Sequence, residues 1–274
     1  MNPFKTKALP FYFVGAWLLL FGVVPLVLIL VSSFLSQHVN HTLSMPLTLN
    51  HYLALMTPEV LQITLRSLGM ASITTMTCLL VAYPFSYMMV KSKHQSLLLI
   101  LIIIPFWTSS LIRTYALIAM LKLHGLLNNM LLSMHLIQQP LALLYSNWAV
   151  MIGLTYTLFP FMVLPLFTQM QRFDFQLLDA AQDLGASKFM LFWRVFLPNT
   201  IPGIATGSLL VFLPAMTLFY IPNVLGGARS ILLGNFIQNQ FFVEENWPQG
   251  CASSILLTTA ILILMVLKPK TSEK

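Results

Sequence analysis

The chain has 274 residues, of which 8% are charged and 58% apolar. A soluble globular chain would carry about 25% charged residues, so an ordinary soluble domain is excluded and an integral membrane protein is expected. The +7 net charge is not gathered with aromatics on a soluble face, which makes nucleic-acid binding a poor explanation for it. Cys78 and Cys251 lie in or beside apolar runs and do not suggest a disulfide framework.

A spanning helix needs roughly 20 apolar residues. Such runs lie near 11–35, 63–90, 97–120, 141–168, 201–222 and 251–267. No β-barrel alternation is present, so the expected class is all-α and polytopic, with about six transmembrane helices. The first run is longer than a signal-peptide core and lacks a small-residue cleavage site; a retained helix is expected. Residues 36–62 form a polar connection with His38, His41 and His51. Spaced histidines in such a loop are read as solvated, and no metal is expected. The turn "KSKHQ" is short enough to make the second and third spans tight antiparallel neighbours. Residues 121–140 mix Leu and Met with Asn, His and Gln and fit an interfacial or partly inserted helix. In the last connection, 223–250, a turn is expected at Gly226-Gly227 and a short helix within "ARSILLGNFIQNQFF".

Basic residues set the orientation. With the N-terminus inside, the inner segments hold Lys5, Lys7, Lys91, Lys93, Arg172, Lys188, Arg194, Lys268, Lys270 and Lys274, against Arg66, Arg113, Lys122 and Arg229 elsewhere. Ten against four predicts a cytoplasmic N-terminus, C-terminus and 169–200 loop.

That loop contains "DAAQDLGAS", a polar run between apolar ones. Asp174 can cap a helix running to Leu184, Gly185 can end it in the left-handed region, Ser187 can cap a second helix, and Pro198 can stop that one. Leu177, Ala181 and Leu184 share one face of the first helix, and Ala180 and Ala181 leave room for another backbone. Asp179 and Asp183 stand at i, i+4, a mildly unfavourable pair that asks for basic partners. On the residues alone two readings stand: an amphipathic connector resting on the bilayer, or a docking element. Anionic inner-leaflet lipid would repel the two aspartates, which counts against the connector.

The loop resembles the "EAA" motif of permease subunits of bacterial ABC importers: Glu-Ala-Ala, three residues, Gly, nine residues, an aliphatic residue, one more, then Leu-Pro. Asp179, Ala180, Ala181, Gly185, Val195, Leu197 and Pro198 fall in register. Asp179 in place of Glu is the one departure. "PFWTSSLIRTYAL", "LFPFMVLPLF", "LPAMTLFYIPNVLGGA" and "LGNFIQNQF" extend the likeness to the spermidine/putrescine branch of that family, over about residues 10–267. The resemblance implies a type I importer permease (MetI-like) fold. It implies a loop, including Asp183, that enters a cleft on a separate ATPase subunit. It also implies a second related permease, two copies of one ATPase and a periplasmic substrate-binding protein, with ATP and Mg on the ATPase and no cofactor in this chain. The division expected is 1–60 (first helix and periplasmic loop), 61–268 (core permease domain) and 269–274 (tail).

Freed carbonyls and hydroxyls at membrane depth belong in protein or along a cavity. Pro105 with Thr108, Ser109 and Ser110, Pro160 after Thr155, Tyr156 and Thr157, and Pro214 before Thr217 are therefore candidate path walls; ordinary kinks with back-bonded hydroxyls are the alternative. No Asp or Glu lies in an expected span. Trp107, Tyr115, Tyr156, Phe159 and Tyr220 are candidates for weak cation–π contact with a polycation, and each also reads as core packing. Arg113 is the one charge well inside a span, read as part of a structural or gating ion pair, though snorkelling would also relieve it. Glu244 and Glu245 either dock a basic patch on a binding protein, attract the cation, or are solvated.

No Gly-rich loop ending in Gly-Lys-Ser/Thr is present, so the chain is not expected to hydrolyse ATP. The leading expectation is a polyamine permease subunit in a bacterial inner membrane. Within the class, the alternative is an importer for thiamine, iron or an amino-acid derivative. An ion-coupled secondary transporter would want several intramembrane ionisable residues, and a membrane enzyme would want clustered His, Asp, Glu or Cys.

Overall fold

The structure is a computed structural model that describes residues 14–37, 43–227 and 230–266. His38, His41, Arg229, Lys5, Lys7, Lys268, Lys270, Lys274 and the tail 269–274 lie outside the described residues.

The elements in order are α1 (Val14–Ser32), β1 (Leu35–Gln37) and β2 (Leu43–Leu47), α2 (Asn50–Ala54), α3 (Pro58–Lys91), α4 (Gln95–Trp107), α5 (Ser110–Leu121), α6 (Leu126–Ser133), α7 (Asn147–Gln171), α8 (Gln176–Asp183), α9 (Lys188–Thr217), α10 (Leu233–Phe242) and α11 (Trp247–Val266). Among the described residues, five helical stretches are long and apolar enough to cross a membrane: α1, α3, Ser110–Ser133, α7 and α9. The shorter α4 and the apolar stretch Trp247–Ile263 of α11 cover the rest of the expected apolar runs.

Two departures from the sequence reading stand out. The run 97–120 is not one helix: α4 ends at Trp107 and α5 begins at Ser110. Pro105 cannot donate to the carbonyl of Leu101, and Thr108 turns back on the Pro105 carbonyl with its N–H at 3.3 Å and its hydroxyl at 2.6 Å. The polar connection after α1, expected as a loop, carries secondary structure of its own, including the short helix α2. It begins with an antiparallel β1–β2 hairpin, where Leu43, Met45 and Leu47 alternate with Ser44 and Pro46 in a strand's period. His51 reaches the Leu35 carbonyl at 3.1 Å.

The chain forms two compact units, Met1–Gln62 with Phe236–Lys270 and Ile63–Asn235 with Thr271–Lys274. The division read from the sequence put 61–268 in one domain. Instead, the chain from Phe236 joins the N-terminal unit, because α11 packs on α1, α2 and β1. Gly250 of α11 also permits a close approach to α10: a Cβ would stand 2.8 Å from the Phe241 ring.

In the other unit α7 and α9 form the central pair. Gly203 and Gly207 are one turn apart on α9 and lie against α7. A Cβ on Gly203 would stand 2.7 Å from Gln169 Cβ, and one on Gly207 would stand 2.7 Å from Met162 Sδ. Small residues at this spacing let membrane helices pack backbone to backbone. At one end of the pair lies a core of Leu121, Ala149, Val150, Leu154, Ile221, Leu225 and Leu232. Polar side chains tie the loops above it. Buried Asn128, on the short helix expected within 121–140, donates to Lys122, Leu123 and Leu141 carbonyls at 3.3, 3.1 and 2.9 Å and accepts from Leu141 N–H at 3.0 Å. Asn235 donates to the Phe219 carbonyl at 2.8 Å and accepts from Leu232 N–H at 3.2 Å. Gly227 has φ +58°, a positive value that glycine adopts freely, at the turn expected of the Gly pair.

Candidate functional site

The segment 169–200 folds as two helices around one turn. Asp174 Oδ1 accepts from Gln176 N–H at 3.0 Å, and α8 follows. It ends as expected at Gly185, with φ +83°. Ala186 N–H donates to the Ala181 carbonyl at 3.1 Å and Gly185 N–H to the Gln182 carbonyl at 2.8 Å. That pair is the Schellman closure, which satisfies the last carbonyls of a helix. Ser187 Oγ then accepts from Met190 N–H at 3.4 Å, capping α9.

Pro198 does not stop the second helix; α9 continues to Thr217. A widened π turn over Leu191–Phe196 precedes the proline, with Leu197 N–H donating to the Phe192 carbonyl. Pro198 therefore meets a turn already rearranged to do without its N–H. Asn199 Nδ2 donates to the Val195 carbonyl at 2.7 Å and Thr200 Oγ1 to the Leu197 carbonyl at 2.9 Å, which helps satisfy the carbonyls around the widened turn.

Asp179, Ala180, Asp183, Gly185 and Pro198 are exposed, and Ala181 and Val195 half-buried. Leu184 is 89% exposed, so the face expected to dock ends in an uncovered leucine. Beneath α8 lies an aromatic nest that the sequence reading missed. Tyr83 and Tyr87 of α3 and Phe192 and Phe196 of α9 line a cavity of about 500 Å³ with Leu178 and Lys188. Phe173 packs edge-on against Phe196 at 5.2 Å, and Lys91 Nζ lies 4.6 Å from the Tyr87 ring centre. The one local hint was Phe173 and Phe175 flanking Asp174; the partners come from α3, some 90 residues earlier by number.

The five aromatic path candidates divide. Tyr156 and Phe159 line a second cavity, about 450 Å³, with Pro105, Phe106, Arg113, Thr155 and Pro160. Trp107, 84% exposed, and Tyr115, 61% exposed, are not in its lining, nor is Tyr220, whose hydroxyl is buried. Thr217 Oγ1 bonds back to the Leu213 carbonyl at 3.2 Å, which makes the Pro214 cluster a helix end with a back-bonded hydroxyl. Glu244 is exposed and accepts from Gln240 Nε2 at 2.8 Å. Glu245 beside it is exposed, with φ +51°.

Residues 7–268 match the family model of the binding-protein-dependent transport system inner membrane component. The chain belongs to this family. It is therefore a multi-pass inner-membrane subunit of a transport system and not itself a catalytic enzyme. Among its relatives is the spermidine/putrescine transport system permease protein PotB of Haemophilus influenzae, 45% identical over 91% of this chain and 88% of that one. PotB of Escherichia coli K12 is 44% identical over 94% of each chain. The inner membrane ABC transporter permease protein YdcU of the same strain is 30% identical over 81% of this chain and 74% of its own. A chain of a bacterial alginate ABC transporter superposes with a TM-score of 0.75 at 14% identity, over 96% of this chain and 91% of that one. At that identity the likeness is one of fold.

Proposed function

We propose that this subunit carries spermidine and putrescine across the inner membrane into the cytoplasm, as the permease of an ATP-driven ABC importer. The supporting observation is 44% identity to a spermidine/putrescine permease over 94% of both chains, a match with no large unshared segment in which a different solute site could be built. The 169–200 segment faces the cytoplasm. Its Ala180–Ala181 step and exposed Leu184 enter a cleft on a separate ATPase subunit, and Asp179 and Asp183 meet basic residues there. Two ATPase subunits of one kind bind ATP and Mg. A second, related permease supplies the other docking loop, and a periplasmic binding protein delivers the polycation, with Glu244 and Glu245 at its docking face. The path is aromatic and free of acidic residues from this chain, which holds a cation by weak ring-face attraction and lets it leave.

The test is ATP-dependent uptake by the complete complex in lipid vesicles. Spermidine- or putrescine-loaded binding protein should stimulate ATP hydrolysis and fill the vesicles with polyamine. Trp107→Ala and Tyr156→Ala should slow uptake several-fold at normal assembly. If neither polyamine stimulates the complex and another solute does, the polyamine reading fails.

A further inference from the structure

Arg113 is a charged group with one buried N–H, on Nε, that no described residue accepts. It lies in the first turn of α5, and its guanidinium carbon stands 4.7 Å from the Phe106 ring centre. Its Nε is buried and has no hydrogen-bond partner among the described residues. The hydroxyl of Thr155, which lines the same cavity, is likewise buried and unpartnered. A ring face attracts the cation but offers no acceptor to an N–H in the guanidinium plane.

Snorkelling does not resolve this. Side chains on a helix lean toward its N-terminus, and Arg113 follows that rule by lying over Phe106, away from the Leu121 end of α5. Leu121 is eight residues on, about 12 Å at 1.5 Å per residue, so a lipid phosphate at that end is out of reach. Nor do the described residues supply a counter-ion. The chain's seven acids are Glu59, Asp174, Asp179, Asp183, Glu244, Glu245 and Glu273, and none lies in α4, α5, α7 or α9. Charged groups at membrane depth pair with one another or with backbone carbonyls. Pro105 and Pro160 do release the carbonyls of Leu101 and Tyr156 from their helical donors, and both residues line this cavity. A carbonyl can accept from the guanidinium, but it does not neutralise it.

We propose that the Arg113 cavity is completed by a carboxylate on a membrane helix of the second permease subunit, which accepts from Arg113 Nε–H and the Thr155 hydroxyl. Paired in this way, the guanidinium no longer repels a polycation passing Tyr156 and Phe159. That consequence rests on the polyamine reading above, and the partner helix on the second permease proposed with it; the unmet Arg113 Nε–H and Thr155 hydroxyl rest on the cavity.

The experiment is a double-mutant cycle in the complete complex. Arg113→Gln is combined in turn with amide replacements of each Asp and Glu in the membrane segments of the second permease. Arg113→Gln should lower uptake about tenfold or more. One partner carboxylate should give the same loss alone and no further loss in combination. Exchanging the two charges, with Arg113→Glu and Arg at the partner position, should recover much of the uptake. If Arg113→Gln fails to assemble, the charge exchange, which keeps both members of the pair, carries the test. Cysteines at 113 and at the partner acid should also cross-link on oxidation, whatever solute the complex carries, so loss of the polyamine reading would leave this arm informative. Additive losses at every partner acid, or normal uptake by Arg113→Gln, would overturn the pairing. So would a chloride requirement for uptake with no partner carboxylate coupled to Arg113, because the acceptor would then be a free anion.

Discussion

Gly185 and Gly203 are both required to be glycine, for opposite physical reasons. Around Gly185 there is open space, with no atom within 4 Å of a would-be Cβ, and its φ of +83° is what a side chain would resist. At Gly203 the backbone is ordinary helix, and a Cβ would stand 2.7 Å from Gln169 Cβ and 3.1 Å from the Pro165 carbonyl. One glycine shapes a surface turned away from the rest of its own chain; the other closes a seam within it. Damage at the first should therefore be seen by a partner, and damage at the second by the fold.

Gly203→Leu is expected to have the largest effect. Overpacking costs about 1–3 kcal/mol, and here the obstruction includes Cβ and backbone atoms that cannot swing aside. The amount of folded protein in the membrane should fall sharply; a normal level in detergent would mean that the α7–α9 seam gives more than its geometry allows. Gly185→Val comes next. Left-handed backbone costs an L-residue roughly 1–2 kcal/mol, spent in an exposed turn. The protein should remain at normal level while uptake falls severely and ATPase subunits detach or fire without loaded binding protein. Ala181→Trp should do the same by bulk alone. Normal transport by both variants would reduce the loop to a connector. Asp179→Glu should be nearly silent in uptake, since it keeps the charge and adds one methylene on an exposed face.

What was legible in the sequence follows the same divide between local and distant causes. Gly185, its left-handed turn and the Ser187 cap depend on a few consecutive residues, and the expected geometry is present. The Gly226-Gly227 turn and the helix of 233–242 belong to the same class. Pro198 was misread because an isolated proline rule takes no account of a π turn just before it, and that turn has no marker of its own among Leu191–Phe196. The break at Thr108-Ser109 was hidden inside an apolar run, where hydropathy registers length and not continuity. The aromatic nest and the Arg113 cavity draw on α3, α4, α5, α7 and α9 together, so no window of sequence contains either one. Arg113 itself was conspicuous as a lone charge, but its orphaned Nε and its approach to Phe106 depend on where neighbouring helices pass.

The widened turn that lets Pro198 pass has a mechanical consequence. Because the helix is not interrupted there, the chain from the Ser187 cap to Thr217 is continuous helix, about 45 Å along its path at 1.5 Å per residue. A lever of that length converts a tilt of about 5° at its capped end into roughly 4 Å of travel at the other. A chain break at Pro198 would have absorbed that motion close to where it began; continuous helix carries it onward toward Thr217.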